Sequence, residues 1–219
     1  IVWAIRLPVA VMAVVVGAAL GLTGAIMQTI LHNPLASSYT LGISAGAGFG
    51  AALVIVLGVA LPVPEAYAVP ASAFMFAGLA CAGVWAIGRA GGATSEMLVL
   101  GGIALLFLFQ ALLSLLQFVA SPEALQQIVF WLFGSLQKAT WSKVTIVLVV
   151  LVACATPLLL DAWRLTALKL GDERARGLGV NVRSLRLRCF AFISALTGVA
   201  VAFVGTIGFV GLVAPHIAR

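Results

Sequence analysis

Charge is the scarcest property of this sequence. Only 8% of its 219 residues are Asp, Glu, Lys or Arg, against 63% apolar, and the mean hydropathy is +1.23. Soluble domains run at roughly 45–50% apolar and about 25% charged, so the shortage excludes a soluble globular domain and points to a chain that lives in a bilayer. The net charge of +6 is concentrated in one loop, which gives no reason to expect a nucleic-acid partner.

Acids are scarcer than bases, six against twelve. Glu65, Glu96, Glu123, Asp161, Asp172 and Glu173 all fall in loops or at the ends of apolar runs, so no proton relay is visible within a span. The two histidines, His32 and His216, are far apart, and Cys81, Cys154 and Cys189 lack CxxC spacing. The thiols read as small packing residues, and no metal or other cofactor is expected, because a metal site needs clustered ligands. No GxxxxGK[ST] phosphate loop occurs, and none of Lys138, Lys143 and Lys169 follows a glycine in one. If ATP powers this chain, a separate subunit binds it. No charged segment followed by a short apolar core and cleavage site opens the sequence, so a signal peptide does not account for the first apolar run.

What is present is a series of long apolar runs. At about 20 residues per spanning helix, they resolve into six spans at 7–31, 41–61, 68–88, 97–119, 143–162 and 187–206, giving an all-α polytopic membrane bundle as one domain over 1–219. The sequence opens at Ile1 and stops just as Pro215 is expected to begin another apolar helix, so a fragment is expected. Placing loops 32–40, 88–96 and 163–188 on one side collects eight of the twelve Lys and Arg there, against Arg6, Lys138, Lys143 and Arg219 opposite. By the positive-inside rule those loops are cytoplasmic, with Trp3, Trp131 and Trp141 at the outer interface and Trp85 and Trp163 near the inner one. Gly17/Gly21, Gly42/Gly46 and Gly46/Gly50 form small-xxx-small steps suited to close helix packing.

The 163–188 loop alone holds seven of the twelve basic residues. Asp172 can cap a short helix ended by Gly177 or Gly179, and Asn181 can cap a second turn that runs through Arg183, Arg186 and Arg188 into the next span. Two short helices across the membrane surface would make a rigid elbow. The other reading is a solvated loop that sets topology or meets anionic lipid.

The run GDERARGLGVNVRSLRLR followed by LTGVAVAFVGTIGFVGLVAPHIAR resembles the membrane subunit of FecCD-type binding-protein-dependent ABC importers of iron-siderophores, haem or cobalamin. RLPVAVMAVVVGAALGLTGAIMQTILHNPLASSYTLGISAGAGFGAAL, GGIALLFLFQALLSLL and QQIVFWLFGSLQKATW are similar to the same family, in its order, across nearly the whole chain. The resemblance implies a type II importer permease of ten spans in the bacterial inner membrane. It implies a homodimer, with an ATPase subunit on the cytoplasmic face and a periplasmic binding protein delivering cargo. This chain would correspond to the second through seventh spans.

By the same resemblance, Asp172, Glu173, Arg174, Ala175, Arg176, Gly177, Leu178, Gly179 and Val180 match the segment that couples to the ATPase. Asn33, Pro34 and Leu35, and Thr94 with Ser95, match turns that close the pathway on the cytoplasmic side; ordinary helix capping is the alternative for these. Arg6 matches the first arginine of an outer motif that pairs with the binding protein, although Val9 stands where the second arginine would be; a snorkelling anchor is the alternative. Gln110, Ser114 and Gln117 fall on one stripe of the 97–119 helix, which in this family lines the path at the dimer interface; interhelical hydrogen bonding is the other reading.

Segment 122–137, bounded by Pro122, reads as a short helix at the periplasmic mouth. LTGA at 22–25 and LTGV at 196–199 open spans of opposite direction and suggest an inverted repeat, with GFVGLVAPHIAR in the second half as the counterpart of segment 122–137. A secondary transporter and a membrane enzyme are the competing classes. The first should show intramembrane ionisable residues and the second clustered His, Asp or Glu.

Overall fold

A computed structural model describes residues 2–58, 62–92 and 94–218. Among these residues a π-helical turn at Val2–Arg6 leads into ten α-helices and there is no strand. The long ones are α1 (Leu7–Ile30), α2 (Ile43–Leu57), α3 (Glu65–Ala90), α4 (Ser95–Val119), α6 (Trp141–Leu160) and α9 (Val182–Val204). The short ones are α5 (Pro122–Leu132), α7 (Ala162–Leu168), α8 (Asp172–Gly177) and α10 (Val210–Ile217).

Polar caps set several boundaries. Thr94, Ser121, Thr140 and Asn181 accept from the backbone N–H of Met97, Ala124, Lys143 and Ser184, and Pro122 fills the first position of α5. Among the described residues five helices are long and apolar enough to cross a membrane: Val2–Ile30, Ala66–Ala90, Ser95–Val119, Trp141–Leu160 and Val182–Val204. The expected span at 41–61 is shorter. Its helix has 15 residues, about 22 Å of rise against a hydrocarbon core of about 30 Å; residues 59–61 lie outside the described ones. The last span starts at Val182 instead of 187, so the end of the presumed basic loop is its first turn. The outer helix ends at Leu132, where Gly134 turns the chain at φ +68.

α1 and α9 form the buried centre, and their inward residues include Met12, Met27, Ile30, Phe190, Ile193 and Leu196. The outer faces of α4 and α6 are apolar and exposed, with Phe107, Leu115, Phe118, Val149, Val152 and Leu159 turned outward as a lipid-facing surface requires. Glycine lets α2 and α3 touch: a Cβ on Gly46 or Gly50 would meet the carbonyl oxygen of Phe76 or Ser72, and the Ser72 hydroxyl donates to the Gly50 carbonyl at 2.6 Å. Gly17, expected to serve a similar step, faces open space. The close approach on α1 falls at Gly24 instead, against Gly211 of α10.

Two irregular segments interrupt the bundle from opposite ends. After α1, residues 31–42 fold back so that α2 starts part-way along α4, with Gly42 (φ +78) against the backbone of Leu106. Irregular backbone at that depth needs internal partners. Ser37 and Thr40 supply them reciprocally: Ser37 N–H donates to Thr40 Oγ1 at 2.9 Å and Thr40 N–H to Ser37 Oγ at 3.2 Å. After α9, Gly205 and Phe209 carry φ of +77 and +65, and α10 then lies antiparallel on α1, pairing Gly211 with Gly24 and Ala214 with Gly21. The two segments meet where Gly208 approaches the Tyr39 ring. LTGA and LTGV do not open their spans; each lies in the second half of its helix, ahead of the break, with Thr23 and Thr197 both fully buried.

Candidate functional site

Most of the basic residues gather at one end, where the turns after α1, before α4 and around α8 come together. α6 passes into α7 through Asp161, whose buried carboxylate accepts from Arg164 Nη1 at 2.6 Å and pairs with Arg188 Nη2 at 3.1 Å. One acid thus ties α6, α7 and α9. α7 was not anticipated in the sequence, because no polar cap announces it: Asp161 ends one helix and begins the next at φ −86 with no side-chain cap bond.

Two corrections apply to the elbow. Asp172 does not cap α8; Gly171 takes that position at φ +100, and Asp172 is the first helical residue. The turn capped by Asn181 does run into the next span, as the start of α9, and does not lie across the membrane surface as a second short helix. The stop is as the glycine signal indicates. Val180 N–H donates to Ala175 O at 3.0 Å and Gly179 N–H to Arg176 O at 2.9 Å, with Gly179 at φ +82. This is a Schellman ending, and its apolar pair, Ala175 and Val180, is buried in the main core. The outer side of α8 and its turn presents Glu173, Arg174, Arg176, Gly177, Leu178 and Gly179, with Leu178 58% exposed.

At the centre sits Arg186, 2% exposed. Its Nη1 and Nη2 donate to Asp172 Oδ2 at 2.8 Å and Oδ1 at 2.9 Å, Nη2 donates to Ser95 Oγ at 2.8 Å, and Nε donates to the Ile30 carbonyl at 3.0 Å. The fork geometry of a guanidinium suits this bidentate hold on a carboxylate. His32, at φ +49, extends the cluster: its Nε2 lies 2.7 Å from the Leu168 carbonyl and its Nδ1 3.4 Å from Ser95 Oγ. A carbonyl only accepts, so Nε2 carries the proton; in the neutral ring Nδ1 then accepts from the Ser95 hydroxyl, which in turn accepts from Arg186. Arg186 and His32 were missed as site residues. In sequence the first is one of seven basic residues in a loop, and only the convergence of three helix ends buries it.

Asp172 and Ser95, expected in different functional elements, are therefore joined through one side chain. Asn33 accepts the Leu35 N–H at 2.9 Å through Oδ1, and Leu35 is 67% exposed. An open cavity of about 450 Å³, lined by His32, Asn33, Ser95, Glu96 and Ile103 among others, separates the turn after α1 from the start of α4. Thr94 caps α4 at its rim. Gln110 and Ser114 are exposed and Gln117 half-buried on α4, in the outward stripe of Ile103 and Phe107.

Arg6 lies at the opposite end, exposed, at the junction of the π-helical turn and α1. Beside it Trp141 Nε1 donates to the Trp3 carbonyl at 3.1 Å and the two rings sit 5.5 Å apart. A larger cavity of about 720 Å³ opens at that end between α3, α5 and α9, edged by Gln127, Ser135, Lys138 and Lys143. Arg219, expected on this side, is outside the described residues.

The chain matches the family model described as the FecCD transport family over residues 1–219. It is 40% identical to the hemin transport system permease protein HmuU of Yersinia pestis, over 98% of this chain and 65% of that protein. Likeness at 36% identity to the molybdate import system permease protein MolB of Haemophilus influenzae covers 100% of this chain and 64% of MolB. The cobalamin import system permease protein BtuC of Halobacterium salinarum is 37% identical, over 100% of this chain and 58% of BtuC. A solved structure in an inward-facing conformation, assigned provisionally to the metal-chelate type of ABC transporters, superposes with a TM-score of 0.89 at 36% identity, covering 100% of this chain and 70% of that one. The chain spans about 65% of the length of curated relatives such as HmuU.

Proposed function

This chain belongs to the FecCD transport family, and from that membership and the geometry of its basic end we propose that it forms part of the permease subunit of a binding-protein-dependent ABC importer. It is a multi-pass protein of the cytoplasmic (inner) membrane. In this reading it carries no catalytic centre. ATP is bound and hydrolysed by a separate subunit seated on the basic end.

One observation carries the proposal: α8 offers an exposed mixed surface of Arg174, Arg176 and Leu178 on one side, while Asp172 on the other is bound to Arg186 and through it to the starts of both candidate gate segments. A solvated topology loop would have no use for that burial, since a charge removed from water is costly unless paired. The coupling segment is therefore residues 172–180, and the gate is formed by Asn33 and Leu35 on one side of the cavity and Thr94 and Ser95 on the other. Arg6, at the far end, is the contact for the periplasmic binding protein. A second copy of the permease packs along α4, with Gln110, Ser114 and Gln117 facing the path between the two. Membrane lipid covers the exposed apolar faces.

The cargo in this reading is a metal chelate, with iron-siderophore, haem and cobalamin as the classes to compare. Relatives named for hemin, molybdate and cobalamin make molybdate a necessary fourth. The test is uptake of all four, labelled, into vesicles holding the full-length permease with its ATPase and binding protein. ATP-dependent accumulation of one cargo supports the reading. Passage at the same rate without the ATPase sinks it in favour of a partner-independent carrier.

A further inference from the structure

Resting on the importer reading above, we propose that Arg186 is a positioning residue for coupling: a buried strut through which displacement of α8 by the ATPase reaches both cytoplasmic gate segments at once. Three helix ends are fastened to one planar group. The carboxylate of Asp172 in α8 is held by two bonds, the Ser95 hydroxyl at the start of α4 by a third, and the Ile30 carbonyl at the end of α1 by a fourth. Ile30 lies just before the turn holding Asn33 and Leu35, and Ser95 is itself a gate residue.

Geometry favours transmission over simple fastening. α8 has six residues and is seated mainly on α7 and α9, with Ala175 and Val180 as its buried apolar grip. That grip resists lifting more than sliding. Sliding of α8 along the membrane face is opposed by the paired bonds to Asp172, because two parallel N–H···O bonds fix direction as well as distance. The guanidinium is rigid and planar, so turning it to follow Asp172 swings Nε and Nη2 and must shift or break their bonds to Ile30 and Ser95. His32 then relays the shift from Ser95 towards α7, since its ring joins Ser95 Oγ to the Leu168 carbonyl. A lysine would keep the charge but supply neither the fork nor the fixed spacing of donors.

Arg186→Ala is a poor test, because it strips Asp172 of its buried partner. Arg186→Lys keeps the charge, and Ser95→Ala removes a single acceptor from a half-buried site; both are made in the full-length permease assembled with its ATPase and binding protein in proteoliposomes. Three quantities are read: ATP hydrolysis, uptake of whichever of labelled ferric siderophore, haem, cobalamin or molybdate the parent accumulates, and the labelling rate of a Leu35→Cys reporter from the ATPase side with and without trapped nucleotide. Cys81, Cys154 and Cys189 are buried, and any other cysteine of the assembly is replaced by serine so that Leu35→Cys alone is read. Arg186→Lys is expected to cut uptake by about tenfold or more while hydrolysis changes by less than about twofold, and to abolish the nucleotide-dependent change in labelling. Ser95→Ala produces the same split in smaller measure, and decides the question on the same readouts if the lysine variant does not assemble. Unchanged uptake per ATP with an intact labelling response overturns the strut. A parent that takes up no cargo with ATP overturns the importer reading itself, and so is distinguishable from failure of the strut alone.

Discussion

Gly24 and Gly211 touch backbone to backbone: the carbonyl of Gly211 in α10 occupies the space that a Cβ on Gly24 in α1 would fill. Any side chain at position 24 would collide with that carbonyl, so α10 can lie antiparallel along α1 here only with glycine at 24. Nearby, Gln28 Nε2 donates to the Leu212 carbonyl at 3.3 Å, so the second irregular segment is held in place by a missing side chain and by a present one.

The first prediction follows from that contact. Gly24→Val should displace α10 and cost about 1–3 kcal/mol as overpacking, read as a lowered midpoint in thermal unfolding of the full-length protein in detergent. Gly17→Ala, one glycine step earlier and facing open space, should be neutral or stabilising by up to about 1 kcal/mol through helix propensity. Equal losses at the two positions would show that α10 is not seated as described.

The turn that ends α8 separates two glycines that look alike in sequence. Gly179 sits at φ +82, whereas Gly177 is an ordinary helical residue, and neither has a neighbour within 4 Å of a Cβ. Gly179→Ala therefore pays only a backbone cost, about 1–2 kcal/mol. Gly177→Ala should be harmless or slightly favourable. Because the apolar pair that closes this turn is buried in the main core, Gly179→Ala should lower the unfolding midpoint slightly and also weaken capture of the ATPase by up to about five- to thirtyfold. Equal capture by both variants would argue that the shape of this turn is irrelevant to docking.

Spans were legible because they are a bulk property: a run such as 97–119 is apolar whatever surrounds it, and α4 is found at Ser95–Val119. The exceptions lie where tertiary contacts override the pattern. The run at 41–61 is apolar enough for a full span, yet residues 31–42 fold back first and leave only Ile43–Leu57 as helix. The glycine stop at Gly179 was readable since it needs only local backbone geometry, while the start was misassigned to Asp172 because capping preference and ion pairing both favour an acid there. Its carboxylate faces Arg186, and that partner is fourteen residues away in sequence. Arg186 itself had no local signature at all. Its burial depends on Ile30, Ser95 and Asp172 arriving from three different helix ends.

The α2–α3 contact yields a third prediction. Ser72 is 1% exposed and its hydroxyl satisfies the Gly50 carbonyl, so Ser72→Ala should cost about 1 kcal/mol for the lost bond. Gly50→Ala should cost more, because its Cβ would press on the Ser72 carbonyl and the Phe76 ring, neither of which can move freely between packed helices. Thermal unfolding of the two variants side by side checks the order. The reverse order would mean that the helices separate easily and that the hydroxyl, not the close approach, holds them.

A last prediction concerns the outward face of α4. Gln110, Ser114 and Gln117 share it with Ile103 and Phe107, and a lipid-facing surface gains nothing from two glutamines and a serine, since each exposed amide in hydrocarbon lacks a partner. A second copy packed about a shared path would give them one. Single cysteines at these three positions in the full-length protein should form an intermolecular disulfide under mild oxidation at one position or more, whereas Val149→Cys on the exposed face of α6 should not. Cys81, Cys154 and Cys189 are buried, and any cysteine elsewhere in the full-length protein is replaced by serine first. Cross-linking at Val149 but at none of the α4 positions would move the copy-to-copy contact to α6 and leave the polar stripe to pack against the parts of the permease beyond this chain.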